Sequence, residues 1–186
     1  MSGGVARSAE ARARDLVAIF HADPAAFGGI APVAAERVPD GPRRLLDHGS
    51  HMTVAMERLH GGPVALRVVD RRADAAGRYA REILLAGPDG RIVQHGIVRI
   101  DLERLGPETA ALVRAERTPL GRILLAAGLL CDVHDVALVE IAPGPHLRGL
   151  FGTPAAATTF GRVAEIGVAG SPAVELLEIV APGTAD

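Results

Sequence analysis

The spacing of hydrophobic positions changes along this chain, and each change predicts an element. Val5, Ala9, Leu16, Ile19 and Phe20 recur at near-helical intervals among charges, which predicts a helix over 1–20. Residues 22–50 are rich in Pro, Gly and Ala and show weak periodicity. They predict short helices and loops, and a segment of that kind serves as a lid or binding loop. From Met52 the pattern turns to strands. Met52–Leu59 and Pro63–Val69 flank His60-Gly61-Gly62, and Tyr79–Ala86 and Arg91–Leu102 flank Gly87-Pro88-Asp89-Gly90; each pair predicts a hairpin.

Pro107 opens a helix to Arg114, with Glu108 in its first turn. A second helix is predicted over Pro119–Ala127, with Thr118 as N-cap and Gly128 closing it. Leu138–Ala142 predicts a strand and His146–Phe151 a short helix. Phe160–Val168 and Ala173–Val180 predict a last hairpin across Ala169-Gly170-Ser171-Pro172. The resulting class is α+β: an antiparallel sheet of about six strands with helices on one face, in one domain spanning 1–186.

Composition narrows the function classes. With 186 residues and 48% hydrophobic content, the chain can bury one sizeable core. A net charge of −2 provides no basic footprint for nucleic acid or an anionic membrane. With 3% aromatics, base-stacking platforms are not expected. The longest apolar run, Ile123 to Cys131, is far too short for a membrane helix. Arg7, Arg12 and Arg14 interrupt any leader-like stretch, and Cys131 is the single cysteine. A cytoplasmic protein acting on a small molecule is the expectation.

Two charged positions stand out on predicted strands. Arg81 shares a face with Tyr79, Ile83 and Leu85. An arginine there needs a partner, either a core carboxylate or the carboxylate of a substrate gripped in bidentate fashion. Glu178 shares a face with Val174, Leu176 and Val180, where it pairs with Arg81 or Arg162, or handles a proton or hydroxyl. Glu175 lies on the opposite face, also among apolar residues, and parity alone does not choose between the two. His48 and His51 invite a metal reading, but Asp47 is a poor third ligand at this spacing. No nucleotide fingerprint and no G-x-S-x-G elbow is present.

The segments Arg81-Glu82-Ile83-Leu84-Leu85, Thr118-Pro119-Leu120-Gly121-Arg122-Ile123-Leu124 and Glu178 followed by Pro182 occur in this order, with Met52-Thr53 upstream and Gly161-Arg162 between. Together they resemble the chorismate pyruvate-lyase (4-hydroxybenzoate synthase) family over about residues 45–182. The resemblance implies a six-stranded antiparallel sheet with an internal ligand site under flaps. It implies elimination of pyruvate from chorismate to give 4-hydroxybenzoate, without metal or organic cofactor. By position, Arg81 would hold the ring carboxylate and Glu178 would face the 4-oxygen, making these the catalytic pair. Met52, Leu120 and Gly121 would complete the substrate pocket, and Arg162 or Arg122 would serve the second carboxylate.

The chain departs from the family at Ile97, which follows Gly96 where a family member has arginine, and in a longer loop from Asp132 to Pro154. Two other readings keep the fold and change the role. One is a non-catalytic ligand-binding module, of the kind found as effector domains of regulators, although no helix-turn-helix is evident in this sequence. The other is a lyase-like enzyme acting on a different aromatic or carboxylic substrate of natural-product biosynthesis.

Overall fold

A computed structural model describes residues 7–153 and 157–185. The part of the predicted first helix that falls on 1–6, Val5 included, lies outside the described residues. Helix α1 (Ala9–Val17) starts at Ser8, whose hydroxyl accepts the Ala11 amide at 3.2 Å. It is followed by α2 (Pro24–Phe27), β1 (Gly28–Pro32), α3 (Asp40–Leu46) and α4 (Met52–His60). Strands β2 (Ala65–Ala73), β3 (Tyr79–Ala86) and β4 (Ile92–Ile100) precede helices α5 (Pro107–Arg114) and α6 (Leu120–Ala126). Strand β5 (Cys131–Pro143), helix α7 (Pro145–Phe151) and the hairpin β6 (Thr159–Val168) and β7 (Ser171–Val180) complete the chain.

The α+β class and the antiparallel sheet are as the pattern predicts, but the sheet has seven strands in the order β1-β5-β6-β7-β4-β3-β2. The additional strand is β1, which pairs Gly28–Pro32 with Pro143–Val139. Its Gly-Gly-Ile-Ala-Pro sequence shows no alternation, and Pro32 is tolerated because β1 is an edge strand.

The expected strand at Met52–Leu59 is instead α4. Met52, Thr53 and Met56 are its buried residues, an i, i+1, i+4 pattern that belongs to a helix. Gly61, at φ +65°, is therefore a left-handed helix cap and not the centre of a hairpin. Helix α6 is flanked by Pro119, not capped by the Thr118 side chain. The β6–β7 turn is made by Ala169 and Gly170, at φ +50° and +76°, so Ser171 and Pro172 already belong to β7.

Helices cover both faces of the sheet, not one. Leu16, Val17, Phe27 and Leu147 of α1, α2 and α7 pack with Ile97, Val139, Val163, Leu177 and Ile179. On the opposite face, Val113, Ile123 and Leu124 of α5 and α6 pack with Val98, Ile166 and Leu176. Beside them, Leu46 and Met56 of α3 and α4 pack with Ile83, Leu85 and Val180. Strands β3, β4, β6 and β7 are buried on both sides almost throughout, so neither face can be left to water. Leu177, with no exposed surface, sits in the first of these clusters. Leu177→Ala should cost about 2–5 kcal/mol, read as a lower urea midpoint; an unchanged midpoint would contradict this account of the core.

Candidate functional site

On the second face α4 of one helix group packs against α6 of the other, and the starts of both helices stand over the sheet. Beneath them lies a cavity of about 40 Å³ lined by residues of both apolar clusters and by His51, Thr53, Arg81, Gln94, Arg162 and Glu178. That volume holds roughly three waters. Met52, Leu120 and Gly121 also line it. All six positions expected to bind substrate thus border one space. A wider, solvent-open depression around Arg71, Arg78 and Arg114 lies apart from these residues and has none of this constellation.

Strand parity and register explain the convergence. Arg81 is opposite Val98 on β4, and Val98 is opposite Leu176 on β7. Glu178 is opposite Gly96, and Gly96 is opposite Ile83. Arg81 and Glu178 therefore project from the same face two strands apart, about 10 Å across the sheet. The covering wall comes from the starts of α4 and α6. They approach so closely at Gly121 that a Cβ there would lie 2.9 Å from Thr53 Oγ1 and 3.0 Å from His51 Cβ. This close approach accounts for the glycine of the Thr-Pro-Leu-Gly-Arg segment. Helix α4 has no side-chain cap at its start, and an open helix N-terminus favours a negative charge nearby.

The two buried arginines have different surroundings. Arg162 is completely buried. Its Nε donates to Glu178 Oε2 at 2.8 Å, and its terminal nitrogens donate to the carbonyls of His48 at 2.8 Å and Ser50 at 3.0 Å. Arg162 thus secures Glu178 and the 46–50 segment. Arg81 is 1% exposed, yet it has no carboxylate within ion-pair distance among the described residues. Among the described residues it donates over a long 3.4 Å to the Val113 carbonyl and its Nε has no partner, while the Tyr79 hydroxyl, held by Glu116 at 2.8 Å, stands beside it. Burial pushes the guanidinium pKa downward, against the opposing effects of Tyr79 and Glu116. Of the alternatives the sequence left open for Arg81, a core carboxylate partner is absent among the described residues. For Glu178, the pairing with Arg162 is present.

Glu175 is placed elsewhere. It faces away from the cavity and pairs with Arg99 Nη2 at 2.6 Å. Arg122 also lies outside, where it grips Glu57 at 2.9 and 2.5 Å and ties α6 to α4. Ile97 is buried in the core across the sheet and adds nothing to the cavity. Gln94 has no place in the sequence-based site, and His51, considered there only as a metal ligand, instead lines the cavity. Gln94 is 1% exposed, and its Oε1 has no partner among the described residues. The signal for it was parity: on β4 it shares a face with Gly96 and Val98.

No family model matches the chain, and no curated protein matches it. Among solved structures it is similar to PhnF from Mycobacterium smegmatis, at 15% identity and a TM-score of 0.56 over 73% of this chain and 65% of that one. It is similar to the effector domain of the same PhnF, at 14% identity and a TM-score of 0.55, covering 72% of this chain and 89% of that domain. The fold is chorismate-lyase-like. The C-terminal domain of the histidine utilization repressor from Pseudomonas syringae is also similar, at 14% identity and a TM-score of 0.50, with 66% of this chain and 94% of that domain covered. The chain thus spans a little under two thirds of the longer PhnF structure. Among the described residues no helix is long and apolar enough to cross a membrane.

The covering segment carries its own pH dependence. Burial, reinforced by the Arg162 charge, lowers the pKa of His48, and burial also lowers that of His51. Both therefore hold a proton less readily when folded than when unfolded. Stability should therefore hold above about pH 6.5, the ordinary histidine value, and decline as pH falls below it. Urea midpoints at pH 7.5 and 5.5 test this. The loss should shrink in His48→Gln and His51→Gln; an equal loss in both variants would assign it to other groups.

Proposed function

We propose that this protein binds a small organic anion, a ring carboxylate in class, in the cavity beneath the starts of α4 and α6. The observation that carries the reading is Arg81: a guanidinium buried at a cavity wall without a carboxylate among the described residues. Burying a charge unpaired is costly, and an incoming carboxylate would offset that cost with two parallel hydrogen bonds. The uncapped start of α4 adds to the attraction. Gln94 and the Glu178–Arg162 pair would meet the far end of the ligand, Glu178 accepting from a hydroxyl. A ring compound needs more room than about three waters, so the 46–53 segment and the start of α6 would move outward to admit it. The names of the similar structures, an effector domain and a repressor domain, support a binding role without chemistry.

Binding of 4-hydroxybenzoate and chorismate measured by calorimetry tests the proposal. Arg81→Met should cost about 2–5 kcal/mol of binding, on the order of 30-fold or more in Kd. It should also leave the fold as stable or more stable, because it removes an unpaired buried charge. Arg81→Lys should bind poorly, since one ammonium cannot reproduce the fork. Undiminished binding in Arg81→Met, or its unfolding, would refute the assignment.

A second reading, chorismate lyase, draws on the placement of Arg81 and Glu178 at one cavity, where the family resemblance puts its catalytic pair. Elimination of pyruvate aromatises the ring, so the protein needs mainly to orient the substrate and to handle a proton at the 4-oxygen. Chorismate would then be consumed with release of pyruvate, followed by ultraviolet absorbance. Glu178→Gln should lower turnover by roughly 10²-fold, while Glu175→Gln should leave it intact. Tight binding without turnover selects the binding role alone.

A further inference from the structure

The face opposite the cavity carries a second polar cluster that neither reading uses. Glu82 of β3 and His95 of β4 are buried side by side, at 1% and 0% exposure. His21, from the connection between α1 and α2, and His146, in the first turn of α7, reach the same point. All three imidazoles place Nε2 on one carboxylate oxygen: His95 at 2.7 Å, His146 at 2.8 Å and His21 at 3.2 Å from Glu82 Oε1. The sequence offers no spacing signal for this set, since its members are spread from 21 to 146.

Three N–H donors on one oxygen exceed its two lone pairs. As ligands, the same atoms form a recognisable set. The donor atoms of His21, Glu82 and His146 lie within 4.8 Å of one another. In a tetrahedral site with bonds of 2.0–2.2 Å, neighbouring ligand atoms stand about 3.3 Å apart. Movements of a few tenths of an ångström would therefore open the cluster around an ion. His146 and His21 have 27% and 12% of their side-chain surface exposed, which provides an entry path. Phe27 and Phe151 pack around the buried ring of His95, at centroid distances of 5.6 and 6.4 Å, and shield that side from water.

We propose that His21, His146 and Glu82 bind a divalent transition-metal ion of the zinc class, with His95 donating to Glu82 and fixing its orientation. The set is nitrogen-rich with one carboxylate, which suits zinc, cobalt or nickel better than calcium or magnesium. Such an ion would clip the α1–α2 connection and α7 to the centre of the sheet. It would act independently of the anion cavity on the other face. His48 and His51, the pair that invites a metal reading in the sequence, take no part in this set.

The chelator-stripped 186-residue chain, titrated with zinc chloride alone by calorimetry, should take up one equivalent at this site and unfold at a higher temperature. Cobalt(II) should give a visible absorption band of a low-coordinate nitrogen and oxygen site. His146→Ala and His21→Ala, at partly exposed positions, should each weaken zinc binding at least about tenfold. His134→Ala, in the separate group of His134, Asp135 and Glu165, should leave the affinity of this site unchanged. The absence of stoichiometric uptake, binding unaffected in both His146→Ala and His21→Ala, or loss in His134→Ala instead would each overturn the proposal.

Discussion

A guanidinium sealed beneath a loop must have its N–H groups answered, and the burial of Arg162 organises much of this molecule. Its partners come from three places: the Glu178 carboxylate on the neighbouring strand, and the carbonyls of His48 and Ser50 above the sheet. Removing any of them would leave a buried charge short of a bond. The arginine thus couples the β6–β7 pair to the segment that leads into α4. With α4 fixed, Gly121 lets α6 close against it, and the cavity follows from the seam between the two helix groups.

Arg81 is the counterpart of Arg162. It is buried as deeply but has no carboxylate among the described residues, so one wall of the cavity is charged and the other is internally neutralised. A protein selected for stability alone would place an apolar residue at Arg81. Its retention at a cavity wall is the physical reason to read the space as a binding site. Across the same sheet, Glu82 sits next to Arg81 in sequence and faces the opposite way. Alternation along β3 thus delivers one cation to the cavity on one face and one carboxylate to the histidine cluster on the other.

The helix-for-strand exchange at Met52–His60 shows how local pattern can mislead. Met, Thr, Val, Ala and Leu suit either state over nine residues, and the following glycines suit either a hairpin or a helix cap. What decides is burial against α6 and the second face of the sheet. The expectation of helices on one face failed for a related reason. Apolar residues occupy both faces of β3, β4, β6 and β7, the mark of a sheet covered on both sides, and the charges at Arg81, Glu82, Arg162 and Glu178 interrupt that pattern.

Strand parity made part of the site legible from the sequence. It puts Arg81 with Ile83 and Leu85, and Glu178 with Leu176 and Val180. The Pro107 helix start was legible too, because it reflects a local backbone constraint, whereas the glycine at 121 answers the close approach of α4 in the tertiary structure. Strand order was not. Which strands adjoin depends on how the helices cover each face, so the distance between Arg81 and Glu178 could not be inferred from residues 97 positions apart. The choice between Glu178 and Glu175, the solvent-side position of Arg122 and the meeting of His21, Glu82, His95 and His146 were likewise settled only by the tertiary structure. Sequence fixes which way a side chain points from its own element; only packing determines what it meets there.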